Sequence, residues 1–581
     1  MYITIRNMKK FLIIPLLLLS LTVFADKWYV SPRGNDANAG TDSSSTGAWK
    51  TWGKAFNWES INAGDTVYFL GGVYYKVLTD GDNDWYYPNR ATTNGTGYAI
   101  TRDGTITDTL KYWAYPGHVP ILDCSTMTTT FSLHYGIRAT GVNYVHFKGL
   151  HMRNVKQNIV PQATTGWSIS ASNTKVENCK IYNIWGNGFY AEGGTALYVV
   201  NSDAWNCADS LGTGVDGYNP GGQGTGFNNI NTSTTTGSVY FVGCRAWKCS
   251  DQGFSSYSKS VITWDKCWSF VNGYLGGGGH GFKLGWVTVI NDFPMRIVTN
   301  SVAVYNKSSG ITTNDNTYAN VAWINAYNNS VYKNQYGIVV YNTTGTDALE
   351  LKRTFRNNVS YGNTTSNVAI STNASYTHSN NSWDSSPAIT VSDADFVSVD
   401  STGLTGARGE DGSLPVLDFL KLAEGSDLIG AGIGVGLLKD GAGNYHNDPP
   451  DLGAYAYSGT TPEPPERPEA ATTTPVAKSI EALLGGNILS GESISARGIV
   501  WGTSANPTTA NNVITVTGTT GAYTTTLRGL TSNTTYHVRS YATNAAGTSY
   551  GSDVSFTTPE YTQVGSGDKI LFYNGEQIVI K

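Results

Sequence analysis

The sequence predicts an all-β chain: a right-handed parallel β-helix followed by a small β-sandwich. Three observations carry this. A short strand motif recurs through the middle of the chain, with no helical stretch between copies. The composition is rich in glycine and aromatics (67 Gly, 12% aromatic) and poor in charge, at 14%, where ~25% charged and ~7% Gly are usual. Turn signals built on Asn and Gly separate the strands. At 581 residues the chain also exceeds the ~250–300 that one globular core supports, so it must be elongated or divided. The net charge of −5 gives no nucleic-acid footprint.

Residues 1–25 read as a secretory signal peptide. Arg6, Lys9 and Lys10 precede an apolar run over 11–24, and Val23-Phe24-Ala25 offers a small-residue cleavage site. No second long apolar run follows. The mature chain is therefore expected to be secreted, without a membrane span, and to act as a monomer.

The repeat is carried by segments 149–154, 178–183, 201–206, 243–248, 266–270, 300–306, 329–334 and 357–363. Their first residues are spaced by 29, 23, 42, 23, 34, 29 and 28. Periods of ~20–50 residues mean a solenoid, and short strands make it a β-helix over 26–458. Several coils close with glycine and an apolar residue: Gly188-Phe189, Gly253-Phe254, Gly281-Phe282, Gly310-Ile311 and Gly337-Ile338. Coils stack about 4.8 Å apart, so like residues form ladders. Asn residues are expected to bond up the stack. Cys179, Cys244 and Cys267 share one repeat position and are expected as an inward row of free thiols, since free Cys behaves as a small buried hydrophobe.

The ends need caps. Residues 49–59 read as a short amphipathic helix over the first coil, and 425–430 and 451–457 as closing strands. Residues 459–477, rich in Pro, Thr and Glu, read as a linker. Residues 478–560 return to short alternating strands. A hairpin around Asn574-Gly575 is expected in the tail, 561–581.

Three resemblances add to this reading. Leu527-Arg528-Gly529-Leu530 followed by Tyr536-His537-Val538-Arg539-Ser540-Tyr541-Ala542-Thr543-Asn544 is similar to a fibronectin type III domain. The segment from Tyr29 to Thr41, with Trp49-Lys50-Thr51, resembles the start of many secreted bacterial β-helix proteins. More specific is the succession Gly243-Cys244-Arg245-Ala246-Trp247-Lys248-Cys249-Ser250-Asp251-Gln252-Gly253-Phe254, then His280-Gly281-Phe282-Lys283-Leu284-Gly285, then Asn314-Asp315-Asn316. It resembles polysaccharide lyase family 9, over roughly residues 29–457.

That resemblance implies a lyase acting on an acidic, uronate-containing and pectic polysaccharide by calcium-assisted β-elimination, with Lys283 as base. It implies Asp ligands for calcium. Asp216 matches one motif. The other motif reads Ser250-Asp251-Gln252-Gly253-Phe254-Ser255 here, keeping Asp251 but holding Gln252 and Ser255 where the family pattern has Asp. With oxygens from Gln252 and Asp209 added, a site weaker than four carboxylates is expected.

The residues themselves allow blander readings. Phe282 and Leu284 point inward by strand alternation, so Lys283 points outward. An outward Lys is ordinarily a solvated charge. As a base it must act as a neutral amine, and lysines are ordinarily protonated below ~10.4, so a cation or burial must assist. Asp216 and Asp251 could equally be turn formers. Arg245 could clamp a substrate carboxylate or make an ordinary ion pair. His280 could touch substrate or hold a turn, and Asn314 and Asn316 could bind sugar hydroxyls or join a ladder. Two other functions stay open. One is a glycoside hydrolase, which needs paired carboxylates across a cleft. The other is a non-catalytic polysaccharide-binding β-helix.

Overall fold

The structure is a computed structural model. It describes residues 25–75, 94–100, 102–127, 133–157, 164–211, 220–231, 237–285, 295–314, 322–341, 352–372, 374–459, 466–491, 493–544, 546–564, 568–573 and 576–580. The expected signal peptide, Asp216, Asn316 and the Asn574-Gly575 turn lie outside the described residues.

Each coil of the chain contributes one strand to each of three parallel sheets. The first sheet has twelve strands, from Lys27–Val30 to Thr377–Ser379. The second has ten, from Asn94–Ile100 to Ser366–Ile370, and the third has ten, from Gly72–Tyr75 to Val359–Tyr361. After the first pair, Lys27–Val30 with Thr66–Phe69, strands three apart in sequence are hydrogen-bonded neighbours, which is a parallel β-helix. All eight repeat segments contribute their strands to the third sheet, and the Gly-apolar pairs lie at or near the start of strands of the second.

The Asn and Gly openers have a backbone cause. Asn178, Asn201, Gly243, Asn300, Asn328 and Asn357 all have φ between 49° and 63°, the left-handed turn from the first sheet into the third. Asn tolerates that region better than other side-chain-bearing residues. Two amide ladders run along the stack, the first at the turn that leaves the third sheet and the second one residue beyond the openers. Asn272, Asn306, Asn334 and Asn363 pass Nδ2–H···Oδ1 bonds at 2.9, 3.0 and 3.2 Å. A second ladder joins Asn329, Asn358 and Asn381 at 2.9 and 2.8 Å.

The cysteine row lies on the line of the second ladder. Cys267 N bonds Ser301 Oγ, whose own amide bonds Asn329 Oδ1. All six cysteines are buried and outside any disulfide, as expected for Cys179, Cys244 and Cys267. Between the sheets, Phe227, Phe254 and Phe282 stack face to face at 5.2 and 4.9 Å.

The expected N-terminal cap is a helix over Trp52–Asn57. Thr51 caps it, its side chain accepting from Lys54 N, and Trp52, Ala55 and Phe56 are buried. Trp52 packs on Phe69 and Tyr74.

Two compact units divide the chain. One contains the β-helix, through residue 392, with 400–419; the other contains 393–399 and 420–581. In the second unit the expected closing strands are absent among the described residues. Asp451 instead accepts from Gly430 N, Tyr457 N and Asn447 Nδ2, and Asp440 from Ala442, Asn444 and Ala456 amides. Buried Asp side chains satisfy backbone donors that a ladder would otherwise hold.

Beyond residue 466 two antiparallel sheets enclose a core of Leu484, Ile488, Ile499, Leu527, Tyr536, Val538 and Phe556. The expected linker ends earlier than its composition suggested. Glu469–Thr472 and Val476–Ala477 are strands on Glu481–Ser490. Both are edge strands, where flanking Pro468 and Pro475 are tolerated. The tail forms a separate sheet of Tyr561–Val564, Asp568–Tyr573 and Glu576–Ile580.

Arg245 sits on the third sheet and is 2% exposed. It grips Asp203 through two bonds of 2.8 Å, and its Nη1 donates to the Leu404 and Gly406 carbonyls. Arg408 adds a bond of 2.6 Å to Asp203. Burial pushes the Asp203 carboxyl up, but the two guanidinium groups outweigh it and hold it below the usual range. Removing the carboxylate leaves two buried cations uncompensated, so Asp203→Asn is expected to cost about 3–5 kcal/mol, read by urea unfolding. Because the folded pKa is depressed, this stabilisation is present above the unfolded value of ~3.9 and is lost as pH falls through the lower folded value. The acid limb of the stability profile should flatten in Asp203→Asn.

Candidate active site

Lys283 ends the strand Phe282–Lys283 on the second sheet. Its position follows from its neighbours in sequence. Phe282 is locked inward by the aromatic stack, and Leu284 is buried, so Lys283 faces out. Gly281 lets this strand lie close to its neighbours: a Cβ there would meet the Gly310 carbonyl oxygen at 2.5 Å. Behind the strand, Ser256 Oγ donates to the Leu284 carbonyl at 3.0 Å. Arg296, fully buried, donates to Ser256 Oγ and to the Leu284, Ser258 and Ser260 carbonyls. Burial lowers its pKa to about 9.

In register, Lys283 pairs with Ser255 on one side and Thr312 on the other. Ser255 pairs with Asn228, and Asn228 with Tyr190. This outward row is one wall of a groove of about 590 Å³ that also meets Asn187, Thr225, Asp251 and Gln252. Asn228 Nδ2 donates to Asn187 Oδ1 at 3.2 Å. Tyr190, Asn187 and Asn228 were not foreseen as site residues. The signal for the row was present: each member follows a Gly-apolar pair, as in Gly188-Phe189-Tyr190 and Gly226-Phe227-Asn228.

Asp251 is 7% exposed at the turn before this sheet. Its Oδ1 accepts from Gly278 N at 2.6 Å and from Gln252 Nε2 at 2.7 Å. Burial pushes its carboxyl up to about 6, against the opposing pull of the Lys283 charge; Asp209 adds to the rise. Gln252 Oε1 in turn accepts from Thr225 Oγ1 at 3.0 Å. His280 is driven down to about 4 by burial and by Lys283, and its Nδ1 accepts from Ser309 N at 3.4 Å. That bond fits a turn histidine.

So the fold brings Lys283, Asp251, Gln252 and Asp209 to one neighbourhood. It does not bring Arg245, which belongs to the third sheet and spends its donors on Asp203 and two carbonyls; its expected role as a carboxylate clamp is corrected accordingly. Asn314 lies two residues beyond Thr312, in a left-handed turn with φ of 47°, its N–H on Thr312 Oγ1.

The calcium expected from the sequence is not matched by these residues. Calcium takes six to eight oxygens. Among the described residues no group of three or more His, Cys, Asp or Glu is placed to hold an ion. Gln252 turns an N–H, not an oxygen, toward Asp251. The described donors, Asp251 and Gln252, do not turn two oxygens to one ion; Asp216 lies outside the described residues.

A solenoid of parallel coils with an outward lysine in a polar groove defines a β-helix protein with a candidate catalytic face. The model of the Pel9A-like, right-handed beta helix region matches residues 28–358, and the chain belongs to that family. Pectate lyase L of Dickeya dadantii (strain 3937) is 31% identical over 450 residues, covering 74% of this chain and 90% of the relative. Pectate lyase PEL9 of Emericella nidulans is 25% identical over 444 residues, covering 70% of this chain and 94% of the relative. Among solved structures, pectate lyase Pel9A superposes with a TM-score of 0.55 at 24% identity over 75% of this chain and 98% of that one. A rhamnogalacturonan lyase gives 0.55 at 23%, over 69% and 97%. These two share the fold, and the handedness is that of the family.

Arg296→Met should leave the Ser258 and Ser260 carbonyls without this donor, while Leu284 keeps Ser256 Oγ. Buried unsatisfied groups cost ~1–3 kcal/mol each, so a loss of at least about 2 kcal/mol is expected in denaturant unfolding.

Proposed function

We propose that the chain is a secreted polysaccharide lyase that cleaves an acidic, pectic polysaccharide by β-elimination, with Lys283 as the base. The observation that carries this is the outward Lys283 in a groove of neutral hydrogen-bonding side chains, beside buried Asp251. Membership of the Pel9A-like family and relatives named pectate lyase support it. The apolar leader in the sequence supports export.

The reaction asks little beyond placement. Lys283 Nζ takes the proton on the carbon bearing the uronate carboxyl. The released electron pair forms a carbon–carbon double bond, the adjacent glycosidic C–O bond breaks, and the leaving oxygen takes up a proton. No water is added across the bond, so one product carries a conjugated unsaturated uronate. Thr225, Asn187, Asn228 and Tyr190 offer hydroxyl and amide partners for sugar hydroxyls, and tyrosine faces suit sugar rings. The hydrolase alternative needs two carboxylates flanking the bond. Asp251 is hydrogen-bonded on one side of the groove, and its amide partners hold it there.

The C-terminal antiparallel unit is read as fibronectin type III-like. Tyr536 Oη accepts from Thr531 N at 3.0 Å, a tyrosine-corner contact. Counting each split edge strand once, its sheets have three and four strands.

With polygalacturonate or rhamnogalacturonan as substrate, turnover should appear as absorbance of the conjugated double bond. Lys283→Ala should lose about 10²–10⁴-fold in kcat with an unchanged melting curve, and Lys283→Arg should be nearly as inactive because guanidinium does not give up its proton. Wild-type turnover in Lys283→Ala would refute the assignment.

A further inference from the structure

Gln252 is 3% exposed, and both ends of its carboxamide are engaged. Nε2 donates to Asp251 Oδ1 at 2.7 Å, and Oε1 accepts from Thr225 Oγ1 at 3.0 Å. The Gly278 amide donates to the same Asp251 oxygen at 2.6 Å. Exchanging the oxygen and nitrogen of Gln252 would set two acceptors 2.7 Å apart with no proton between them, so the orientation is fixed by the ionised carboxylate. An ion shared by Asp251 and Gln252 would need two oxygens turned to one point. It would have to break the Gln252–Asp251 bond to obtain them.

The neighbouring positions agree. Ser255 pairs in register with Lys283, and its hydroxyl is neutral. A carboxylate there would stand one coil spacing, about 4.8 Å, from the lysine. It would pair with Lys283 and favour the charged amine. With Ser255 and Gln252 as they are, Asp251 is the carboxylate among the described residues that lines the groove with Lys283.

We propose that the Thr225–Gln252–Asp251 bridge closes this turn to calcium, so that elimination at Lys283 runs without a divalent cation bound there. The inference rests on the lyase reading of the groove. Gln252 is a positioning residue: it holds the Asp251 carboxylate through a charge-assisted hydrogen bond, stronger than a neutral one, and the Gly278 amide holds it from the loop side.

The test uses the full chain, stripped with chelator. Calcium is titrated into it by calorimetry, and initial rates on polygalacturonate and rhamnogalacturonan are read as unsaturated product with chelator or with calcium. The wild type should give no binding heat up to about 1 mM calcium, the weak end of protein sites, and chelator should leave its rate unchanged. The double variant Gln252→Asp, Ser255→Asp should gain calcium binding and become chelator-sensitive, which a merely structural glutamine would not cause. Wild-type calcium binding that Asp251→Asn removes would overturn the proposal. So would a rate loss of more than about tenfold in chelator that calcium restores. Absence of unsaturated product from every uronate polymer, with and without calcium, would overturn the lyase reading instead, and the calorimetry would then decide the bridge by itself.

Discussion

Everything in the β-helix follows from one constraint: successive coils are held a fixed hydrogen-bonding distance apart, so residues at one coil position are each other's neighbours. Phe227, Phe254 and Phe282 stack because they share a row. Asn272, Asn306 and Asn334 hydrogen-bond for the same reason. The glycine before each core residue is part of this geometry. At Gly281 a side chain would collide with the Gly310 carbonyl, so the close approach of neighbouring coils within the sheet requires glycine there. The groove is the outward counterpart of these inward rows. Its wall of Tyr190, Asn228, Ser255 and Lys283 is one row read across four coils.

Charge is scarce in this chain, and the buried charges are handled in three ways. Asp203 is shared between Arg245 and Arg408, a closed network in which each partner is costly to remove. Arg296 has backbone carbonyls and a serine hydroxyl as its hydrogen-bond acceptors, and its cost of burial goes into fixing the strand end behind Lys283. Asp251 has a backbone amide and a carboxamide. Only the third lies in the groove. Neutral donors hold that carboxylate without cancelling its charge.

The stretch from Arg245 to Ser255 shows why proximity in sequence misled. Ten residues carry the chain off the third sheet, around a turn and onto the second. Arg245 and Ser255 therefore face different surfaces, although both flank Asp251 in the chain. The placement of Arg245 as a carboxylate clamp treated the segment as one surface. Its guanidinium was claimed by Asp203, which lies 42 residues earlier and one coil away.

The sequence by itself determined the coil repeat, the all-β class, the inward thiols and the outward direction of Lys283. Each depends on local alternation or on a recurring turn residue, and a periodic pattern records both. The tertiary structure decided which residues meet. Tyr190 reaches the groove from 93 residues before Lys283, because coils of unequal length are brought into register by hydrogen bonding and not by sequence spacing. It also decided that Gln252 turns its N–H to Asp251, since an amide's orientation is set by the carboxylate and hydroxyl that surround it. The buried aspartates that replaced the expected closing strands at 425–430 and 451–457 belong to the same class. A short apolar run permits a strand, and only the available partners determine whether its backbone bonds go to a ladder or to a side chain.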